Sequence, residues 1–300
     1  MLSLKSALLL LWLTLSSFGA VFAAAPDFTS GALLLAKYTA LAERLQQNPF
    51  QRSLHLDSTE SGNDIKGDIY AVVDFPFATV YAGLNDPDNW CDVLSLHLNT
   101  KYCHAAPDNG KTVLHVSIGK KFDQPLEDAY PLEFSYRVAS ATARYLEIRL
   151  SADKGPMDTR DYRIQLQAIP LANGRTFLHL SYFYAYGWVG RVAMKTYLAT
   201  LGSGKVGFTV TRRKSNGQPE YIKGMRGLVE RNAMRYYLAI DSFLGAYLGP
   251  LAATPAQQLQ KRLQSWFTAT EQYPRQLHEI ERTAYIDMKL SEYLRQRTLQ

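Results

Sequence analysis

The chain has 300 residues, of which 47% are hydrophobic, 12% aromatic and 20% charged, with 33 Lys and Arg against 27 Asp and Glu. The apolar share excludes a disordered chain, and the 19 Gly and 13 Pro are too few for a collagen-like or low-complexity protein. The net charge of +6 is spread along the chain, so we expect weak attraction to anionic surfaces and no nucleic-acid partner.

Residues 1–23 have the pattern of an export signal. Lys5 precedes an apolar run from Ala7 to Leu15, and Val21-Phe22-Ala23 suits signal-peptidase cleavage after Ala23. The run is shorter than the roughly 20 apolar residues that a membrane span needs, although an uncleaved anchor is the alternative. We therefore expect a soluble protein that is exported, either to the periplasm or out of the cell.

Cys91 and Cys103 are the only cysteines of the chain. An even number of cysteines in an oxidising compartment favours a disulfide, which would stabilise the fold by roughly 3 kcal/mol. Two free buried thiols are the alternative. A metal site that also used His97 and His104 is less favoured, because it lacks a closely spaced ligand pair such as C-x-x-C.

The N-terminal third alternates between helical and strand patterns. Helical spacing of apolar residues predicts a helix over residues 28–47, and Asn48-Pro49 ends it. From Asp64 the period changes to two and predicts a strand that Pro76 ends. Two short helices are predicted next, Ala78–Leu84 and Asn89–Leu96.

The middle of the chain predicts an antiparallel sheet that is covered on one side. Period-two alternation recurs over residues 98–104, 112–120, 132–138, 145–150, 162–168 and 178–188. Pro107–Gly110 and Asn173-Gly174 are turn signals between such strands. The last of these strands places large aromatic residues on one face, namely Tyr182, Tyr184, Tyr186 and Trp188. A short helix near Val192–Leu201 and a strand over Val206–Val210 are predicted to follow.

The C-terminal part is predicted to be helical. Met225–Leu248 has a broad apolar face and is the natural cover for the sheet. Thr254 is the expected N-cap of a helix that runs from Pro255 to about Thr270. A highly charged helix over Arg275–Gln300 ends the chain.

This order of elements resembles the helix-grip fold of the START / Bet v 1-like superfamily. The resemblance is carried by Ile69–Phe77, the strand that enters the first short helix, and by Asp86-Pro87-Asp88-Asn89-Trp90 after that helix. It implies an α+β fold, with a curved antiparallel sheet wrapped around a long C-terminal helix and a hydrophobic cavity between them. The predicted organisation is then a signal peptide, an N-terminal helix with lead-in, a START-like domain and a C-terminal helical extension, over residues 1–23, 24–63, 64–248 and 249–300.

Motifs for cofactors, metals and catalysis are weak. Gly202–Gly207 spells G-x-G-x-x-G, but a predicted helix precedes it and a strand follows, the reverse of a dinucleotide site, so we expect a turn and no cofactor. The acidic residues Asp86, Asp88 and Asp92 are better explained by a helix-breaking turn with a cap than by a calcium site. His115 and His179 fit ordinary sheet positions, and we predict no catalytic residue and no metal.

The resemblance and the aromatic face together predict a carrier of a hydrophobic ligand, lipid or sterol-like, between sheet and long helix. The residues expected to line the pocket are Phe134, Tyr136, Leu146, Ile148, Tyr182, Tyr184, Tyr186, Tyr236 and Ile240. Arg144 shares parity with Leu146 and Ile148, and we expect it to pair with a lipid headgroup or another acidic group of the ligand.

Three alternatives remain open at this point. The aromatic face could be solid core, although the buried phenol groups would then need internal hydrogen-bond partners. The same cavity could serve a cyclase- or hydrolase-type enzyme that uses a Tyr or His for acid–base chemistry. Finally, the chain could be a non-catalytic partner protein that docks through the charged tail from Arg275. Transient contact with a membrane surface is compatible with the carrier.

Overall fold

A computed structural model describes residues 27–188, 190–192, 204–247 and 254–299. The predicted export signal lies outside the described residues, as does the helix predicted near Val192–Leu201 beyond its first residue. The architecture is the α+β helix-grip fold: one large antiparallel sheet curves around a long helix near the C-terminus, with further helices at both ends of the chain.

The large sheet has eight strands. They are β1 (Leu54–Ser61), β2 (Asp64–Val73), β3 (Thr100–Asp108), β4 (Lys111–Ile118), β5 (Tyr130–Ala141), β6 (Leu146–Lys154), β7 (Thr159–Pro170) and β8 (Thr176–Tyr186). Their spatial order is β1-β2-β8-β7-β6-β5-β4-β3, and every neighbouring pair is antiparallel. The pairing of β2 with β8 joins distant parts of the chain and places the tyrosines of β8 in the middle of the sheet.

A separate two-stranded hairpin consists of β9 (Val210–Arg213) and β10 (Pro219–Tyr221). The strand predicted over Val206–Val210 therefore starts only at its last residue. Val206 and Phe208 are buried outside regular structure, where the Phe208 N–H donates to the carboxylate of Glu230 at 2.5 Å. Their apolar side chains reflect packing in the core rather than strand alternation.

The helices agree with the predicted positions except at the C-terminus. They are α1 (Asp27–Gln46), α2 (Phe77–Leu84), α3 (Pro87–Ser95), α4 (Gly224–Tyr247), α5 (Pro255–Glu271), α6 (Pro274–Leu277) and α7 (Arg282–Leu299). The single predicted tail helix is two helices, because His278 adopts extended backbone angles after α6. Asp86 caps α3 by accepting from the Asp88 N–H at 2.9 Å, which accounts for the acidic turn that sequence analysis considered for calcium.

The long helix α4 packs on the concave face of the sheet, against β1, β2 and β8. Gly67 of β2 lies directly under it: a Cβ at this position would stand 3.1 Å from the Cβ of Ala233 and 3.3 Å from the carbonyl oxygen of Val229. The absence of a side chain at Gly67 thus lets the helix approach the strand closely. Helices α5 and α7 share the same core through Trp266, Tyr285 and Met288.

The convex face is also partly covered, which the prediction of a sheet covered on one side did not include. Helix α1 buries Leu34, Leu41 and Leu45 against Tyr145 and Phe177 in a second, smaller core. The apolar stripe of α1 was visible in the sequence. The surface of the sheet that this stripe packs against could not be predicted, because the alternation with Leu146 and Ile148 places Tyr145 on the polar face.

A disulfide joins Cys91 and Cys103, as the sequence predicts, and ties α3 to β3 with a Cα–Cα distance of 5.2 Å. Within the described ranges, no helix combines the length and apolar character needed to cross a bilayer. The same part of the chain has no group of three His, Cys, Asp or Glu side chains placed to hold a metal ion.

Candidate ligand site in the tyrosine-lined interior

Strand β8 places its tyrosines on the concave face, between the sheet and α4. In the register of β2 with β8, Gly67 lies opposite Tyr182 and Ile65 lies opposite Tyr184. Tyr182 is 6% exposed and Tyr184 is 3% exposed. A glycine beside Tyr182 leaves room for a phenol ring where a larger neighbour would compete for the same space.

The aromatic rings of the interior form a continuous row. The ring of Tyr236 on α4 lies 5.3 Å from that of Tyr182, which lies 5.6 Å from that of Tyr184. Tyr162 of β7 stacks on Tyr184 at 5.3 Å and meets Phe134 of β5 edge-on at 6.3 Å. These distances are those of favourable ring pairs, and the row crosses the sheet from α4 to β5. We call these five rings the aromatic row.

Burial keeps the phenols of this row protonated. Removal from water raises the pKa of Tyr162 to about 12, and it raises the pKa of Tyr182, Tyr184 and Tyr236 above the ordinary value for tyrosine. At neutral pH each phenol therefore retains its O–H donor. The row presents hydrogen-bond donors within otherwise apolar surroundings.

One phenol near the row is buried without a partner. Tyr136 of β5 is 8% exposed, and its hydroxyl has no hydrogen-bond partner. Burial, followed by the negative charge of Asp86, raises its pKa. By contrast, Tyr162 donates to the Thr159 hydroxyl at 2.8 Å, and Tyr186 donates to Glu60 at 3.0 Å. An unpaired buried hydroxyl costs about 1–3 kcal/mol, so Tyr136 offers a place for a polar ligand atom.

His97, named above only as a possible metal ligand, is a second buried side chain with an unpaired polar atom. It follows α3 in a turn, is 4% exposed, and its ring stacks on Tyr236 with centroids 5.0 Å apart. Its Nδ1 accepts from the Asn99 N–H at 3.2 Å, whereas Nε2 has no partner. Burial, with nearby positive charges, lowers its pKa well below the usual value. The sequence contains no signal for this residue, because a single histidine in a turn has no periodicity.

The tail helix α7 fixes the turn that carries His97. Lys289 donates to the carbonyl oxygens of His97 and Thr100, both at 2.7 Å. The hydroxyl of Tyr285 donates to the carbonyl oxygen of Leu96 at 2.9 Å. Burial lowers the pKa of Lys289 to about 8, against the opposing effect of the adjacent Glu292. The C-terminal extension thus takes part in shaping the interior.

The other predicted lining residues are dispersed over the concave core. Leu146 and Ile148 on β6 and Ile240 on α4 are 0–1% exposed. Tyr186 lies at the end of β8 and is bonded to Glu60, apart from the aromatic row. Tyr162, which sequence analysis placed in a strand but not in the site, belongs to the row. Its alternation with Ile164 and Leu166 could have identified it.

Two predicted positions are wrong. Arg144 is exposed and does not turn toward the interior, because β6 begins at Leu146 and the alternation that suggested its direction does not extend into the preceding turn. Trp188 is 76% exposed, because β8 ends at Tyr186 and the chain leaves the sheet before reaching it.

Two cavities of the described part of the chain lie away from the aromatic row. One, of about 30 Å³, lies between α3, α5 and α7 beside Lys101 and Lys289. The other is a shallow depression of about 450 Å³ around Arg52, Gln264 and Arg282. The aromatic rings contact one another directly, so a ligand of appreciable size enters this interior only if rings move.

Comparison with known proteins yields similarity of fold only. No protein-family model matches the chain, and no curated protein matches its sequence. Among solved structures, a Streptomyces aromatase/cyclase matches with a TM-score of 0.37 and 11% identity, over 67% of this chain and 100% of the other. Human StAR-related lipid transfer protein 5 matches with a TM-score of 0.32 and 9% identity, over 56% and 90%. Norcoclaurine synthase from Thalictrum flavum matches with a TM-score of 0.33 and 11% identity, over 48% and 92%.

Proposed function

We propose that this protein binds a hydrophobic small molecule in the tyrosine-lined interior between the sheet and α4. The observation that carries the proposal is the unpaired hydroxyl of Tyr136, buried in a largely aromatic and aliphatic core. A core that served stability alone would be expected to pair this group, as it pairs Tyr162 and Tyr186. A ligand with an apolar body and a polar atom at this point would satisfy it.

Entry of the ligand requires rings of the aromatic row to move, and the energies allow it. Each ring pair contributes about 0.5–1.5 kcal/mol beyond the area that it buries. A ligand that buries about 200 Å² of apolar surface gains about 5 kcal/mol, enough to offset the loss of one or two such pairs. The rings of Tyr182 and Tyr236, which meet across the gap between β8 and α4, are those that would separate.

The finer proposal is an exported carrier of a lipid or sterol-like molecule. The Cys91–Cys103 disulfide favours an oxidising compartment, in keeping with the export pattern of residues 1–23. Trp188 and Met157 are 76% and 56% exposed, and such large apolar side chains suit transient contact with a membrane surface. The residues proposed to contact the ligand are those of the aromatic row with Tyr136, flanked by Leu146, Ile148 and Ile240.

Mass spectrometry of the purified full chain tests the proposal. Native spectra, followed by organic extraction, should reveal a stoichiometric hydrophobic molecule, and Tyr184→Ala should lose it. Tyr38→Ala is the matched control, because Tyr38 contacts Phe177 in the second core, on the other side of the sheet. Thermal melting checks that both variants fold, and Tyr136→Phe replaces Tyr184→Ala if the latter does not.

The outcomes separate the hypotheses. Retention of the molecule in folded Tyr184→Ala and Tyr136→Phe variants would place the ligand elsewhere. Absence of any bound molecule, together with no binding of added amphiphiles, would contradict the carrier. Conversion of the bound molecule to a product, abolished by Tyr136→Phe, would favour the cyclase- or hydrolase-type enzyme instead.

A further inference from the structure

We infer that the ligand is a hydrophobic carboxylic acid whose carboxylate accepts a hydrogen bond from Nε2–H of His97. This inference rests on the proposed function and adds the chemical class of the ligand. It depends on the hydrogen bonds of the imidazole, on its place beside the aromatic row and on the charges around it.

The hydrogen bonds of His97 assign its tautomer. Nδ1 accepts from the Asn99 N–H at 3.2 Å, so in the neutral ring Nδ1 carries no proton and Nε2 does. Nε2–H is therefore a donor, and it is buried with no acceptor. The only kind of ligand atom that satisfies it is an acceptor, which excludes an ammonium or a purely hydrocarbon ligand end at this point.

The position of His97 connects this donor to the proposed site. Its ring stacks on Tyr236, and Tyr236 contacts Tyr182, so His97 extends the aromatic row at its α4 end. Tyr236 is only half-buried, although it lies between two buried rings. A molecule whose body separates Tyr236 from Tyr182 would bring its polar end close to His97.

The charges around His97 favour an anion. The positive groups that act on it belong to Arg235, Lys289, Lys121 and Lys101. Two carboxylates pair with these four cations: Glu292 with Lys101 at 2.9 Å and Lys289 at 2.8 Å, and Glu279 with Lys121 and Arg235, both at 2.7 Å. Among these described groups the four cations outnumber the two carboxylates, which favours a negative charge in their vicinity. An oxygen that carries negative charge gains more there than a neutral carbonyl does.

Matched ligands and variants test the inference. Isothermal titration of the full chain with decanoic acid and with methyl decanoate compares the same alkyl chain with and without the negative charge. We expect the acid to bind at least about 10-fold more tightly, the usual scale for a hydrogen bond to a charged group. His97→Phe keeps a ring to stack on Tyr236 but has no N–H, and should lower this preference severalfold, leaving only the part that the surrounding cations supply. His97→Gln, whose amide reaches a position similar to Nε2, should restore part of it.

The preference ratio separates recognition from a structural role, because a general loosening of the site would weaken both ligands alike. Equal binding of acid and ester to the wild type, or an unchanged ratio in folded His97→Phe, would overturn the role of His97 and leave the proposed function standing. If neither probe binds and no hydrophobic molecule co-purifies, the proposed function itself fails.

Discussion

The two faces of the sheet bury tyrosine in opposite ways. On the convex face, Tyr145 is 2% exposed, donates to Glu147 at 2.7 Å and accepts from Gln167 at 2.6 Å. On the concave face, the hydroxyl of Tyr136 has no partner. Burial raises the pKa of both phenols. A buried tyrosine is therefore no sign of a binding site by itself, and what distinguishes these two tyrosines is whether the protein supplies a hydrogen-bond partner for the hydroxyl.

The convex face supplies partners across four strands. Gln167 of β7 contacts His179 of β8 at 2.9 Å, His179 contacts Asp68 of β2 at 2.8 Å, and Lys66 pairs with Asp68 at 3.0 Å. With Glu147 of β6 these groups form a polar ladder that completes its own hydrogen bonds. The side chains of this ladder are thus paired within the protein, whereas Tyr136 and His97 have buried donors without a partner.

Removal of the disulfide should have the largest effect and should act on the concave side. Cys91–Cys103 ties α3, which leads into the His97 turn, to β3. A variant with Cys91→Ala and Cys103→Ala should lose about 3 kcal/mol of unfolding free energy, because the denatured chain is no longer constrained. Urea denaturation measures this, and the reduced wild type should agree with the variant. Equal midpoints for oxidised and reduced protein would show that the bridge contributes nothing.

Removing one hydroxyl from each face tests the comparison directly. Tyr145→Phe takes a donor from the buried carboxylate of Glu147 and should cost about 1–3 kcal/mol. Tyr136→Phe removes an unpaired hydroxyl and should leave stability unchanged or slightly higher in the ligand-free protein. Urea denaturation of both variants provides the numbers. A larger loss for Tyr136→Phe would mean that this phenol has a partner in solution.

The pH dependence of stability should report the tail helix that holds the His97 turn. The pKa of Lys289 is about 8 in the folded protein against the ordinary lysine value of 10.5, so the unfolded chain binds the proton more strongly. The contribution of Lys289 to stability therefore rises with pH between these two values. Integration gives a gain of about 1 kcal/mol from about pH 7 to about pH 9.

Lys289→Met should lack that rise, while Lys261→Met, at an exposed position of α5, should keep it. Urea midpoints across this pH range measure the difference. Parallel profiles for wild type and Lys289→Met would show that Lys289 keeps an ordinary pKa.

The sequence predicted most of the architecture because alternation and turn residues are local signals. The strands from β2 to β8 and the helix α4 follow from the period of their apolar residues and from the turn residues between them. Gly249-Pro250 marks the end predicted for that helix. Strand β1 was not predicted, because only Leu54 and Leu56 provide apolar alternation within it. The contribution of α7 to the core was not predicted, because its charged residues Lys289 and Glu292 are buried as an ion pair, which the sequence pattern does not show.

The candidate site was less predictable, since it depends on contacts between distant segments. Tyr182, Tyr184 and Tyr236 were identified from strand and helix faces, and the structure brings their rings together. The prediction for Arg144 is wrong because the alternation of β6 does not continue into the turn before Leu146, where that strand begins. His97 could not be identified, because its importance depends on Tyr236 and on an unpaired nitrogen that only the folded chain defines.

The smallest expected effect concerns the exposed end of the polar ladder. The side chain of Lys66 is 41% exposed, and pairs of this kind contribute at most about 1 kcal/mol, so Lys66→Met should lower stability by less than that. Burial alone would raise the pKa of Asp68, but hydrogen bonds from His179 and Lys66 outweigh it and lower the pKa below 3.8. The ladder's contribution is therefore present above that pH and is lost as the pH falls through the folded-state pKa. The stability difference between wild type and Lys66→Met, measured by urea denaturation, should shrink with falling pH and with added salt. A difference that persists in strong acid would mean that Lys66 acts through the packing of its alkyl chain rather than through its charge.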